Sequence, residues 1–109
     1  MAGRLERGEV RLFRFARPDK QRPVLILTRD STLQYLTRVT VAPITSTIRS
    51  VPSEVALGPD DGMNQPCAVN LHNLVTVSRN DVGKRLGRLS SSRMREMCAA
   101  LDFSLGCDR

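Results

Sequence analysis

Histidine and paired cysteines are nearly missing from this chain of 109 residues. His72 is the only histidine, and Cys67, Cys98 and Cys107 form no Cys-x-x-Cys pair. A zinc site or a disulfide framework therefore lacks the ligands that it needs, and reduced, buried thiols are expected. No carboxylate cluster suits a divalent metal either, so the sequence predicts no metal and no cofactor.

Catalytic and membrane signatures are missing as well. The chain has no G-x-x-x-x-G-K-[ST] phosphate loop, no G-x-G-x-x-G, and no serine or cysteine in a recognisable nucleophile motif. No stretch approaches the roughly 18 apolar residues of a membrane span, and the N-terminus MAGRLERGEV lacks the apolar core of a signal peptide. A cytoplasmic protein without a membrane partner is expected.

Arginine, by contrast, is abundant. The net charge is +6, and only Lys20 and Lys84 among the 17 basic residues are lysine. Guanidinium groups form bidentate contacts with phosphates and carboxylates, which an ammonium group cannot do. A GC-rich genome would produce the same bias, so composition leaves both explanations open.

Short strands separated by turns dominate the pattern. A chain of this length forms one domain, here residues 1–109. EVRLFRF alternates like a strand with two unlike faces, and PVLILT is apolar on both faces, as in a central strand. The series continues with RVTVAPIT, SEVAL, QPCAVNL and NLVTV.

The remaining segments predict turns and helices. ARPDKQ predicts a loop over residues 16–22, and residues 31–34 fit an S-x-x-Q capping box at the start of a short helix. Asp60 and Asp61 follow Pro59 and are explained as turn residues. After Ser90, apolar residues recur at helical spacing; they are Met94, Met97, Cys98 and Leu101.

Together these elements predict an α+β, mainly β fold. We expect a small, strongly bent antiparallel sheet or half-open barrel, closed by a C-terminal amphipathic helix.

Arginine and hydroxyl groups at strand ends are the remaining candidates for chemistry. Arg22 stands directly before Pro23, so its backbone is restricted and its guanidinium suits phosphate binding; an ion pair with a local acid such as Asp19 is the alternative. Thr45 follows Pro43 at a strand exit, where its hydroxyl can donate to a phosphate or cap a turn. His72 is equally consistent with a structural role.

The order of the motifs resembles the MazF/PemK family of toxin endoribonucleases from toxin-antitoxin systems. The resemblance rests on RGEV, QRPVLIL, VAPITS, NLHNLVTV, VGKRLGRLS and the final amphipathic helix, and it covers residues 7–105. Its most specific parts are R-P-V before the second strand and P-x-T-[ST] after the third.

The resemblance implies a bacterial, cytoplasmic homodimer of small SH3-like, CcdB/MazF-type barrels. Such an mRNA interferase cuts single-stranded RNA at short sequences without a metal and is neutralised by a cognate antitoxin. The products are a 2′,3′-cyclic phosphate and a 5′-hydroxyl, and DNA is not a substrate. Whether the target is mRNA, tRNA or rRNA is left open, as is the cleavage motif.

The resemblance also implies roles for individual residues. By motif match, Arg22 takes the place of the family's catalytic arginine and Thr45 that of its catalytic threonine. Substrate-binding residues are then Arg17, Lys20 and Gln21 of the loop that closes over the RNA, together with Ser46 and Asn73. Arginine stays protonated at ordinary pH, so Arg22 is a poor base, and the general base is not assigned.

Two alternatives stay open. One is a non-catalytic CcdB-like toxin that binds gyrase, which the ending LGCDR disfavours because such toxins rely on an aromatic tail. The other is an inactive basic interaction module. Aromatic residues make up 4% of the chain, so RNA binding would depend on arginine, hydrogen bonds and phosphate contacts more than on base stacking.

Overall fold

A computed structural model describes residues 4–15 and 21–107 of the chain. Within these ranges seven strands and two α-helices alternate with turns: β1 (Glu9–Arg14), β2 (Gln21–Ile26), α1 (Asp30–Leu33), β3 (Arg38–Thr45), β4 (Glu54–Leu57), β5 (Cys67–Asn70), β6 (Val75–Ser78), β7 (Val82–Arg88) and α2 (Ser91–Leu105). Single 3₁₀ turns at Pro59–Asp61 and Arg79–Asp81 precede β5 and β7.

The strands form one antiparallel sheet in the order β4-β5-β3-β2-β1-β7, and β6 pairs with the first half of β3. β3 exchanges partners along one edge, because Val41 is the last residue paired with β6 and Ile44 is the first paired with β5. Pro43, which has no N–H to donate, lies between these two ladders, a position that a strand tolerates. The predicted mainly β, α+β fold with a C-terminal helix is confirmed.

β2 is the centre of the core. Val24, Leu25 and Ile26 are completely buried, although their side chains alternate between two faces. Val24 and Ile26 belong to the cluster that contains Phe13, whereas Leu25 belongs to the cluster beneath α2. The prediction of a strand buried on both faces is confirmed.

α2 closes one face of the sheet. Its N-cap residue Ser90 accepts a hydrogen bond from the backbone N–H of Arg93 at 3.2 Å, which satisfies one of the free donors of the first turn. Met97 and Ala100 are the buried residues of this helix.

The prediction of buried thiols is wrong for two cysteines. Cys67 is buried in β5, but Cys98 and Cys107 are exposed. Cys98 has helical spacing with Met94 and Leu101, yet it lies one residue beyond the buried Met97 and outside the stripe that α2 turns toward the sheet. In a helix of one buried stripe, a shift of one residue rotates a side chain by about 100°.

Two predicted boundaries also differ. The loop over residues 16–22 was expected to include Gln21 and Arg22, but both lie in β2, paired with Arg14 and Phe13 of β1. The capping box over residues 31–34 is absent, since α1 begins at Asp30 and makes no side-chain cap hydrogen bond. Asp30 instead accepts the backbone N–H of Arg7 at 2.7 Å, a tertiary contact that a local motif cannot predict.

Both faces of β1 are largely buried. Val10 packs in the cluster beneath α2 and Phe13 in the other cluster, as the alternation predicts, but Arg11 on the Phe13 face is buried as well. Arg11 is tolerated there because Glu9 is buried beside it and accepts its Nε and Nη2 groups at 3.1 and 3.0 Å. In the sequence, an arginine buried in an ion pair cannot be distinguished from an arginine on a solvent-exposed strand face.

Candidate active site

Arg22 and Thr45 lie on neighbouring strands, just beyond the end of the ladder that joins β2 to β3. β2 pairs with β3 from Ile26 opposite Val41 to Val24 opposite Pro43, and Arg22 and Thr45 are each two residues beyond that last pair. Residues two apart on a strand share a face, so both side chains leave the sheet on the side of Val24 and Pro43. Arg22 is exposed and Thr45 is half-buried.

The segment after β3 is tied down at several points. The backbone N–H of Thr47 donates to Oγ1 of Thr45 at 3.1 Å. The N–H groups of Arg49 and Ser50 both donate to Oε1 of Glu54 at 2.9 Å. Ser50 has a φ of 57°, and its N–H bond to Glu54 helps to hold that left-handed conformation. The hydroxyl of Thr45 thus has the turn role considered from the sequence and still keeps its own hydrogen.

Two adjoining cavities share Arg22, Thr45 and Thr47. The larger has a volume of about 630 Å³, within the range of about 300–1,000 Å³ typical of ligand pockets. Its other lining residues include Ser46, Met63, Asn64, Gln65 and Leu86. The smaller, of about 370 Å³, adds Phe15, Arg49, Asn70 and Asn73. Hydroxyls, amides and guanidinium groups therefore meet at the end of the β2-β3 pair.

The sequence-predicted residues divide into three groups. Arg22, Thr45 and Ser46 line the larger cavity, and Asn73 lines the smaller one beside Arg22 and Thr45. Gln21 is exposed at the start of β2 and lines neither cavity. Arg17 and Lys20, like the Asp19 considered as an ion-pair partner, lie outside the described residues.

Four polar, uncharged lining residues were not singled out from the sequence: Thr47, Asn64, Gln65 and Asn70. Thr47 lines both cavities and donates its backbone N–H to Oγ1 of Thr45. Asn64, Gln65 and Asn70 reach the site only because β5 pairs with the end of β3, with Thr45 opposite Ala68. That pairing joins segments more than 20 residues apart, so no local pattern pointed to it.

His72 has structural partners. Its Nδ1 lies 2.5 Å from Oγ of Ser53, and its backbone N–H donates to Oδ1 of Asn70 at 3.1 Å. It lines neither of the two cavities around Arg22. These contacts favour the structural role over a catalytic one.

An Asp61–Arg93 ion pair supports the far wall of the larger cavity. Arg93 donates from Nε and Nη2 to the two carboxylate oxygens of Asp61 at 2.9 and 3.2 Å. This bidentate hydrogen bond holds the pKa of Asp61 below its ordinary value, against the opposing effect of burial, and raises the pKa of Arg93. Burial raises the pKa of the nearby Cys67 thiol, so this cysteine is a poor nucleophile.

A third cavity, of about 390 Å³, lies between α2 and the segment before β1 and is lined by Arg7, Arg88, Met94 and Cys98. Two of the three arginines that line it are engaged, because Arg7 donates to the carbonyl of Leu27 and Arg88 donates to Glu6 at 2.8 Å. It contains none of the sequence-predicted site residues.

Among the described residues, no group of three or more His, Cys, Asp or Glu side chains is placed to hold a metal ion. Over the same ranges, no helix is long and apolar enough to cross a membrane.

Comparisons with known proteins identify the family of the chain. Residues 6–105 match the family described as PemK-like, MazF-like toxin of type II toxin-antitoxin system. "Endoribonuclease MazF3" of Mycobacterium tuberculosis is 39% identical over 99 residues, which cover 91% of this chain and 96% of that protein.

Solved structures agree as well. "Mycobacterium tuberculosis toxin MazF-mt6" superimposes with a TM-score of 0.84 at 37% identity, over 93% of this chain and 99% of that one. "Endoribonuclease in complex with its cognate antitoxin from Mycobacterial species" has a TM-score of 0.86 at 26% identity, over 97% and 99% of the two chains.

Proposed function

The chain belongs to the family of PemK-like, MazF-like toxins of type II toxin-antitoxin systems, and from this premise we propose that it cuts single-stranded RNA at a phosphate held by Arg22 and Thr45. It is an endoribonuclease toxin, as are the relatives that carry this name along nearly its whole length. The observation that supports the proposed site is that Arg22 and Thr45 line the same two cavities.

The reaction that suits these residues uses the nucleophile of the RNA itself. The 2′-oxygen of the ribose attacks the adjacent phosphorus, the bond from phosphorus to the 5′-oxygen breaks, and the 5′-oxygen receives a proton. The products are a 2′,3′-cyclic phosphate and a 5′-hydroxyl. The enzyme contributes by aligning the reacting atoms and stabilising charge on the non-bridging oxygens.

Arg22 suits the stabilisation of charge on the non-bridging oxygens because its guanidinium keeps its charge and presents a fork of donors to phosphate. Thr45 suits it because Oγ1 accepts the N–H of Thr47, which holds the side chain in place and leaves its hydroxyl hydrogen available to a phosphate in the cavity. Ser46 is the next residue, is exposed, and provides a second hydroxyl at the same phosphate. The group that removes the 2′-proton is not assigned among these residues.

The partners follow from the family and the charge. We propose a cognate antitoxin that covers the basic site with acidic residues, since the net charge is +6, and a homodimer as the assembled toxin. The chain acts as a single domain in the cytoplasm, where RNA substrates are exposed. A gyrase-binding function receives no support from the relatives, which are named endoribonucleases.

The test is cleavage of a mixed single-stranded RNA pool by purified protein in EDTA. Wild-type protein should cut it, whereas Arg22→Ala should slow cleavage by about 100- to 1,000-fold, as for the loss of one charge-stabilising donor. Arg22→Lys keeps the charge but loses the fork and should recover only part of the rate. Mass spectrometry of the cut ends should find cyclic phosphates.

A matched RNA and a melting curve complete the test. The same oligonucleotide with one 2′-deoxyribose at the cut position should stay intact at that position. Arg22 is exposed, so its variants should melt within a few degrees of wild type. An intact wild-type digest, cutting that requires a divalent metal, or efficient cutting by Arg22→Ala would each contradict the proposal.

A further inference from the structure

The larger cavity extends away from Arg22 and Thr45 to residues 62–65, a segment between the 3₁₀ turn at Pro59–Asp61 and β5. We propose that Asn64 and Gln65 read the edge of a base next to the phosphate held by Arg22 and Thr45, and so determine which RNA sequence is cut. This inference rests on the proposed function. It assigns sequence selection to a segment distinct from the loop before β2.

The cavity changes chemical character along its length. At one end are the guanidinium of Arg22 and the hydroxyls of Thr45 and Ser46, which suit a phosphate. Beside them are the apolar side chains of Met63 and Leu86, and Leu86 is 48% exposed although it is a large hydrophobic residue. An apolar wall next to a phosphate site suits the flat, weakly polar face of a nucleobase.

The two amides complete this arrangement. Asn64 and Gln65 are both exposed and line the cavity beyond its phosphate end. An amide side chain carries an acceptor oxygen and a donor nitrogen, so it pairs in two directions with the edge of a base. None of the described residues that line this cavity is aromatic, which favours hydrogen-bonded selection over stacking.

The segment that carries the amides is held in place before any ligand binds. Asp61 accepts the backbone N–H of Gly58 at 3.0 Å and is bound bidentately by Arg93 of α2. The N–H of Met63 donates to the carbonyl of Gly58 at 3.3 Å. Gly62 has a φ of 84°, a left-handed conformation in which glycine is unstrained, and it turns the chain toward the cavity.

Gln65 has a further restriction, because Pro66 follows it and confines its backbone to extended conformations. A binding group on a preorganised segment loses less conformational entropy when it meets its ligand, so its hydrogen bonds contribute more to discrimination. Rigid placement distinguishes these amides from an exposed polar residue of an ordinary loop.

The experiment compares cutting specificity. Wild-type protein, Asn64→Ala, Gln65→Ala and the control Asn80→Ala digest a randomised single-stranded RNA pool, and the 5′ ends of the products are sequenced. Asn80 is an exposed amide in the 3₁₀ turn before β7 and lines none of the described cavities around Arg22. The preferred sequence and its single-base variants are then compared by kcat/KM.

Loss of one amide should reduce discrimination at one base position by about 10- to 100-fold, the range of a bidentate base contact. Discrimination at the other positions should stay within about twofold, and Asn80→Ala should match wild type. Asn64→Asp and Gln65→Glu keep the shape of the side chain but lose its hydrogen-bond donor, so they should shift the preferred base. They replace the alanine variants in the comparison if an alanine variant has a lowered melting temperature.

The outcomes separate this inference from the proposed function. If all variants cut the same sequences with the same ratios as wild type, the amides do not read a base, although the ribonuclease assignment stands. If wild-type protein cuts no RNA, the proposed function fails, and fluorescence anisotropy with labelled single-stranded RNAs of different sequence then tests base-dependent binding by the amides. Equal binding of all sequences by wild type would overturn the inference.

Discussion

The backbone N–H of Thr47 donates a hydrogen bond to Oγ1 of Thr45, at 3.1 Å. The bond occupies one lone pair of the hydroxyl and leaves its hydrogen available to donate to a group in the cavity that Thr45 shares with Arg22. A turn contact and a phosphate donor are compatible in one side chain, although from sequence they were alternatives.

Thr45→Val tests this arrangement, since valine has the shape of threonine without the hydroxyl. We expect RNA cleavage to slow by about 100-fold or more, because one donor to the phosphate is lost. Thr45→Ser keeps the hydroxyl and should retain most of the rate. Single-turnover cleavage in EDTA provides the measurement, and equal rates for the valine and serine variants would remove Thr45 from the catalytic machinery.

Glu9→Ala should strongly destabilise the fold. Its carboxylate is 5% exposed and accepts hydrogen bonds from Arg11, whose side chain is 8% exposed, so the substitution leaves a buried cation without its partner. The expected loss in unfolding free energy is about 3–5 kcal/mol, measured by urea denaturation.

Arg85→Ala is the matched control for that change. Arg85 binds the other oxygen of the same carboxylate at 2.8 Å, but its side chain is 50% exposed. Solvent screens such a pair, so the loss should stay below about 1 kcal/mol. Similar losses for Glu9→Ala and Arg85→Ala would mean that burial of Arg11 is not the dominant cause.

The Asp61–Arg93 ion pair should make stability depend on acidity. The pKa of Asp61 is lowered in the folded protein, first by the hydrogen bond to Arg93, so the pair stabilises the fold above the unfolded-state pKa of about 4. That contribution is lost as the pH falls through the lower, folded-state pKa. The melting temperatures of wild type and Asp61→Asn should therefore differ at pH 6–8 and converge toward pH 2.

Asp60→Asn provides the control for the acid series. Asp60 is the exposed neighbour of Asp61 in the same 3₁₀ turn. Its substitution should leave the difference between neutral and acid stability as in wild type. If the difference in melting temperature between wild type and Asp61→Asn stayed constant over the whole pH range, the ion pair would not be the cause of the pH dependence.

Met97→Ala should open a cavity beneath α2. Met97 is fully buried in the cluster that joins α2 to the sheet, so the expected cost is about 2–5 kcal/mol in unfolding free energy. Phe103→Ala, on the same helix but 50% exposed, should change stability by less than about 0.5 kcal/mol. Denaturant unfolding of both variants measures these losses and shows whether burial of the side chain, and not its position on α2, determines the loss in unfolding free energy.

Hydrophobic patterns predicted the elements well. The strands in RVTVAPIT, SEVAL and NLVTV appear as β3, β4 and β6, and the final helix begins after Ser90 as expected. These segments were predictable because a strand or helix with buried faces repeats apolar residues at a regular spacing along the sequence. Local signals failed where a tertiary contact replaced them, as at Asp30, whose carboxylate binds the backbone of Arg7 in place of a helix cap.

The chain order of motifs alone was enough to suggest the family and, by motif match, to select Arg22 and Thr45, because Arg22 directly precedes Pro23 in R-P-V and Thr45 follows Pro43 by two residues in P-x-T-[ST]. The pairing of β2 with β3 and of β3 with β5 was decided only in the tertiary structure, which brought Arg22, Thr45, Asn64 and Gln65 to the same cavity. Strand register depends on contacts between residues distant in sequence, and a local sequence pattern does not predict those contacts.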